Sequence, residues 1–273
     1  MPARKTANTP TTKPRAKKPA ASAIPDDVYT PQEIVDLLSG YYGAPEWRPH
    51  HDAMAELVLT LLSQNTSDTN SGRAFSRLLQ KYPDWASVLA APLPELEDTI
   101  RPGGLAPTKA PRMQAMLAEI QQRTGSFDLS LLDDMPIEEA RAWLTTLPAV
   151  GPKTAACVLL FGLGRPGLPV DTHVHRLSIR LGLVEEKTPP DRAQTYLEAL
   201  IPPEDHYLFH ILLIRHGRHL CTARAPACEV CPLKERCLVG RNAGTPIELR
   251  DDAVPAKSAK AKRASKGTAK PVA

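Results

Sequence analysis

Aromatic residues make up only 5% of this 273-residue sequence, so its core has to be built from aliphatic side chains. No run of 18 apolar residues occurs, which removes a simple membrane-spanning helix from consideration. The N-terminus is basic but lacks the apolar stretch of a secretory signal, which argues for a soluble, intracellular chain of the cytoplasm or nucleoid. Period-two alternation is also missing, and with it the signal for a sheet. The expected class is therefore all-α, at a length that holds one large or two modest domains.

Charge of one sign is scarce only on average. The net charge is +4, yet residues 1–25 and 253–273 each carry six Lys or Arg and no acid. The segment between them holds the remaining 22 bases against all 30 acids, so the body is acidic and any anion site must be local. The tails are rich in Ala, Lys, Pro, Ser and Thr, lack core formers and read as disordered. They either confer solubility or attract phosphate non-specifically.

Punctuation is abundant, with 28 prolines and 15 glycines. Thr30-Pro31-Gln32-Glu33 is a capping box that starts a helix. Asp52 to Ser63 is apolar nearly all round and reads as a buried core helix, ending in the polar turn Ser63-Gln64-Asn65-Thr66. Further helical patterns run over 68–81, 85–90, 94–101, 107–123, 137–146, 172–182, 190–200 and 204–219.

The rest of the chain is arranged around 147–173. Leu147-Pro148-Ala149-Val150-Gly151-Pro152-Lys153 reads as a tight hairpin: Pro148 cannot extend a helix, Gly151 permits φ > 0 and Pro152 suits a first helical position. The helix expected from Lys153 to about Phe161 directs its positive end outward, where a phosphate could sit. A Gly/Pro-rich connector follows and ends at Asp171 in Val170-Asp171-Thr172-His173, where an N-cap carboxylate is favoured as the anion.

Four of the five cysteines fall together as Cys221, Cys228, Cys231 and Cys237. Disulfides do not suit an intracellular chain. A four-cysteine zinc site usually shows two Cys-x-x-Cys knuckles, and only Cys228/Cys231 form one. A cubane iron–sulfur cluster takes four thiolates spread around its corners, which a compact loop provides. The fifth, Cys157, lies among small apolar residues and reads as a buried hydrophobe.

Hairpin, lysine, Gly/Pro loop, Val-Asp-Thr-His and the cysteine spacing together resemble the endonuclease III branch of the helix–hairpin–helix DNA glycosylases, from Leu61 to Cys237. The resemblance implies a six-helix domain over 55–163 and a second helical domain from 28–54 and 164–240. A DNA-binding cleft would lie between them, a [4Fe–4S] cluster would sit on the four cysteines of 221–237, and tails would occupy 1–27 and 241–273. It implies a monomeric base-excision-repair enzyme that removes oxidised pyrimidines from duplex DNA and cuts abasic sites.

Carried over by position, Lys153 would be the nucleophile and Asp171 its assistant. Val150, Gly151 and Thr154 would form the phosphate-gripping hairpin, with His173 beside them. Gln64 or Asn65 would enter the duplex, and Leu105 would be a wedge, although a core contact is an equal reading for that leucine. Arg224, Lys234 and Arg236, between the cysteines, could face the DNA backbone or offset thiolate charge. The family pattern is broken at Ala149, Pro152 and Ala106. An adenine-excising relative would need an acid where Thr60 stands, with Glu56 one turn away, and a non-catalytic iron–sulfur DNA-binding protein is the remaining alternative.

Overall fold

The computed structural model describes residues 27–48 and 51–242; the basic tails expected at either end lie outside the described residues. Eleven α-helices carry these residues, and no strand occurs among them.

The first helix, α1 (Pro31–Tyr42), begins at the expected capping box, Glu33 bonding back to the Thr30 amide at 2.8 Å. It runs to Tyr42, past the end near Ser39 that the sequence pattern suggests, and is capped by Gly43 at φ 76°. Helix α2 (Ala53–Ser63) starts at Asp52, whose carboxylate accepts from the Ala55 amide at 2.7 Å, and is buried on nearly every side. Four helices follow: α3 (Asp68–Lys81), α4 (Trp85–Ala90), α5 (Leu93–Ile100) and α6 (Ala106–Thr124). After α7 (Ile137–Thr145) comes the hairpin and then α8 (Pro152–Cys157).

The helix expected to reach Phe161 does so, but not as one α-helix. Val158–Gly162 is a π turn, closed by the Leu163 amide on Val158 O at 3.1 Å and the Arg165 amide on Leu159 O at 2.8 Å. Trp47 Nε1 donates to Leu160 O at 2.9 Å and so satisfies a carbonyl that the widened turn leaves open. Gly162 permits this packing, because a Cβ there would lie 2.8 Å from Ala53 Cα on α2. Widened turns of this kind recur at functional sites.

The chain continues through α9 (Thr172–Arg180), α10 (Pro190–Leu200) and α11 (His206–His219) into the cysteine loop. Buried side chains fall into two clusters. One gathers α2 to α8, with Leu57, Leu62, Leu96, Met113, Met116 and Leu144 fully enclosed. The other gathers α1 with the segment after Gly167, around Ile34, Leu38, Phe209 and Leu212. The hairpin belongs to the first cluster and Asp171 to an element of the second, so the two predicted catalytic groups approach from separate cores.

Candidate active site

The hairpin turns at Leu147-Pro148-Ala149-Val150, closed by the Val150 amide on Leu147 O at 3.2 Å. Proline second and a left-handed residue third is the pattern of a type II turn. The left-handed residue is Ala149, at φ 63°. Gly151, which the sequence allows a positive φ, is instead extended at φ −97° and ψ 179°. The backbone demand falls two residues earlier, on a residue with a Cβ. Gln64 Nε2 donates to Ala149 O at 3.3 Å and helps hold that conformation.

Past the turn, Gly151, Pro152 and Lys153 are exposed, whereas Val150 and Thr154 are buried. Any contact that Val150 or Thr154 makes with a ligand is therefore left to the backbone, and Pro152 has no N–H to offer. Helix α10 ties this segment down, Gln194 Nε2 donating to Pro152 O at 3.2 Å.

Asp171 caps α9, its carboxylate accepting from the Val174 amide at 2.7 Å. The connector that delivers it is anchored at both ends. Glu198 on α10 accepts from the Leu168 amide at 3.0 Å while paired with Arg141 at 2.9 Å. His210 on α11 donates from Nδ1 to Pro169 O at 2.8 Å. Burial pushes His210 down to about 4 against the opposing charge of Asp171, so the ring is neutral at pH 7 and a fixed tautomer.

The charges of Lys153 and Asp171 bear on the same two groups. Both charges bear on His210 and on the thiol of Cys157, which burial pushes up to about 12. Cys157 also senses Glu56 and is hydrogen-bonded to Thr60. Thr60 in turn donates to Glu56 Oε1 at 3.1 Å, and burial pushes Glu56 up to about 7. A polar path, Glu56 to Thr60 to Cys157, thus links α2 to α8, the helix that carries Lys153. Sequence reasoning met Glu56 and Thr60 only as a rival's missing acid and Cys157 only as filler, because an apolar helix gives no sign of which face meets a neighbour's polar group.

Of the two candidate amides on the α2–α3 turn, Gln64 is engaged by the hairpin. Asn65 is exposed and left-handed at φ 54°. Leu105 is 56% exposed, again left-handed at φ 52°, so the core-contact reading of that leucine does not hold. His173 is half-buried against α11, where a Cβ on Gly217 would lie 2.7 Å from its Nδ1. Arg176 donates to that nitrogen at 3.2 Å and to Gly217 O at 3.1 Å and Cys221 O at 2.9 Å. An arginine only donates, so the His173 proton sits on Nε2.

Cys221, Cys228, Cys231 and Cys237 line one pocket, walled by Leu177, Leu181 and Leu233. Four sulfurs spread around one pocket suit a polynuclear cluster. Burial pushes Cys231 up to about 11, a cost that ligation removes by taking the thiolate. Arg180 donates to Cys221 Sγ at 3.1 Å, and His216 Nε2 lies 3.4 Å from Cys231 Sγ. The donor set fits a [4Fe–4S] cluster. Lys234 is paired with Glu229 at 2.7 Å, and Arg236 is bonded to Glu33 and stacked 4.2 Å over Tyr29. Of the three bases in the loop, Arg224 alone is left as an exposed candidate for a DNA backbone contact.

Helical architecture, hairpin and cysteine loop together define a base-excision DNA repair protein. The family model for the HhH-GPD superfamily of base excision DNA repair proteins matches residues 58–203, and that for the iron–sulfur binding domain of endonuclease III matches 221–237. The chain belongs to the endonuclease III family of DNA glycosylases. It is 34% identical to endonuclease III of Bacillus subtilis over 76% of this chain and 91% of that one. It is 37% identical to a putative DNA glycosylase of Arabidopsis thaliana over 65% of this chain, spanning 64% of the plant protein. A solved trapped endonuclease III–DNA covalent intermediate superposes with a TM-score of 0.68 at 31% identity, over 79% of this chain and 99% of that one.

Proposed function

We propose that the chain is a monomeric, bifunctional glycosylase and abasic-site lyase acting on oxidised pyrimidines in duplex DNA. A damaged base is unreachable inside the helix, so the nucleotide is extruded at a cost of a few kcal/mol, least for lesions that already pair poorly. Lys153 gives up a proton, its freed Nζ lone pair attacks C1′, and the bond from C1′ to the base nitrogen breaks, its electrons leaving with the base. The amine then forms an imine with the opened sugar, a proton leaves C2′, and the C3′–O bond breaks on the 3′ side of the lesion. Asp171 assists by accepting the lysine proton, which frees the Nζ lone pair and is then available to the departing base.

The observation that supports this reading is that the charges of Lys153, at the start of α8, and Asp171, at the N-cap of α9, both bear on Cys157 and His210. The likeness to a trapped covalent endonuclease III–DNA complex supports the same chemistry. Borohydride reduction in the presence of abasic duplex is the test. Wild type is expected to give a covalent adduct and Lys153→Ala none, while Asp171→Asn binds DNA but excises poorly. Equal trapping by Lys153→Ala would overturn the lyase assignment, and a panel of oxidised pyrimidine and purine lesions tests the substrate class.

A further inference from the structure

Two exposed residues in left-handed backbone, Asn65 and Leu105, stand on separate loops, one leaving α2 and the other entering α6. Both loops are fastened to one buried ammonium. Lys109, only 3% exposed, donates from Nζ to Leu62 O at 2.6 Å and to Gly103 O at 2.8 Å. Leu62 lies three residues before Asn65 and Gly103 two before Leu105. The loop before α6 also packs on the helices either side of the Asn65 turn, since a Cβ on Gly103 would lie 3.1 Å from Ala74 Cβ on α3 and 3.7 Å from Leu62 O on α2.

Enclosing a lysine is costly, and burial pushes this one below the usual lysine range. Its partners are main-chain carbonyls rather than a carboxylate, so no ion pair offsets that cost. A methionine, of similar length, would fill the same space without it. The ammonium offers something methionine cannot. Its donors diverge from one point, so a single group bonds the last turn of α2, where a cation is favoured by the helix dipole, and the loop before α6.

We propose that Lys109 is a positioning residue for nucleotide extrusion, holding the Asn65 turn and the Leu105 loop at one spacing so that amide and leucine enter the duplex together. The inference rests on the reading that this chain extrudes a damaged nucleotide. A side chain displaced by about an ångström from its working place can cost on the order of 100-fold in rate, and two loops that move independently incur that loss at each attempt.

The test compares two reactions of the full chain: single-turnover excision of a paired oxidised pyrimidine, and borohydride trapping at a preformed abasic site, where no base remains to be displaced. Lys109→Met is expected to slow excision by about 10- to 100-fold and to leave trapping within about 3-fold. The fluorescence rise of 2-aminopurine placed beside the lesion should fall with excision, and Lys109→Arg, which keeps two donors, should restore part of both. Ile120→Ala, fully buried three turns further along the same helix, supplies a variant of lowered melting temperature without touching the strut. Excision unchanged in Lys109→Met, an equal loss of excision and trapping, or the same loss in Ile120→Ala would each overturn the proposal. Should Lys109→Met fail to fold, a cycle of Asn65→Ala and Leu105→Ala in the parent chain decides: coupled loops predict a combined loss smaller than the product of the single losses, and simple multiplication overturns the idea. If the parent chain neither excises nor traps, the functional reading itself falls, which is a different result.

Discussion

Gln64 and Ala149 are joined across 85 residues of chain by one hydrogen bond, from Gln64 Nε2 to Ala149 O at 3.3 Å. The bond spans the turn after α2 and the hairpin before α8, and it holds an alanine at φ 63°. That region costs a non-glycine residue about 1–2 kcal/mol. Ala149→Gly removes the cost but gives the unfolded chain about 0.5–1 kcal/mol of extra freedom. The expected net effect is a stabilisation of up to about 1 kcal/mol. It should appear as a higher urea midpoint with an unchanged m-value, and a lower midpoint would show that the hairpin does not hold this conformation in solution.

Neighbouring amides on the α2–α3 turn should separate stability from activity. Gln64→Leu leaves the Ala149 carbonyl without its donor and should cost about 1 kcal/mol in unfolding free energy. Asn65→Gly suits φ 54° and should shift stability by less than about 0.5 kcal/mol, while excision from paired lesions drops on the order of tenfold. Unfolding titrations beside single-turnover excision would test the pair. The opposite pattern, with Gln64→Leu inactive and stable, would exchange their roles.

Helix positions were legible because capping and periodicity are local: Thr30, Asp52, Ser67, Asp84 and Asp171 all cap as short polar residues before apolar runs should. The π turn at Val158–Gly162 was not, since it arises from Gly162 packing on Ala53 a hundred residues away. The same limit governs the site. Lys153, Asp171 and the four cysteines stand in motifs whose spacing is visible in the chain. Lys109, Glu198 and His210, which fasten the loops carrying the site, act through main-chain carbonyls and amides of distant segments and leave no pattern of their own.

Arg180 should govern how firmly the cluster is kept. Its guanidinium donates to Cys221 Sγ at 3.1 Å, Thr222 O at 2.8 Å and Ala223 O at 2.8 Å, tying α9 to the first arm of the loop. Arg180→Met keeps the length of the side chain and loses all three bonds. Iron release to a chelator under air, followed by the decay of the visible cluster band, should quicken several-fold, by analogy with the 10- to 100-fold effects of removing residues that support metal ligands. Lys234→Met, whose bond runs to exposed Glu229, should leave that rate unchanged. Equal rates for wild type and Arg180→Met would mean that the cysteines hold the loop unaided.

Glu56 makes stability depend on pH in a direction opposite to that of an ordinary paired carboxylate. Its folded value of about 7 lies above the 4.5 of an exposed glutamate, because burial penalises the anion more than the Thr60 hydrogen bond stabilises it. Between those two values the folded chain keeps a proton that the unfolded chain has released. Stability therefore falls as pH rises through that window, and the penalty is complete above about 7. Glu56→Gln keeps an oxygen that can accept from Thr60 and has no charge to bury. At pH 8 it should be more stable than wild type by on the order of 3 kcal/mol, and near pH 4.5 the two should converge. Urea titrations at both pH values test this, and a constant difference across them would assign the penalty to another group. Because Glu56 also bears on Cys157 beside Lys153, excision by wild type should change through the same window and that inflection should vanish in Glu56→Gln.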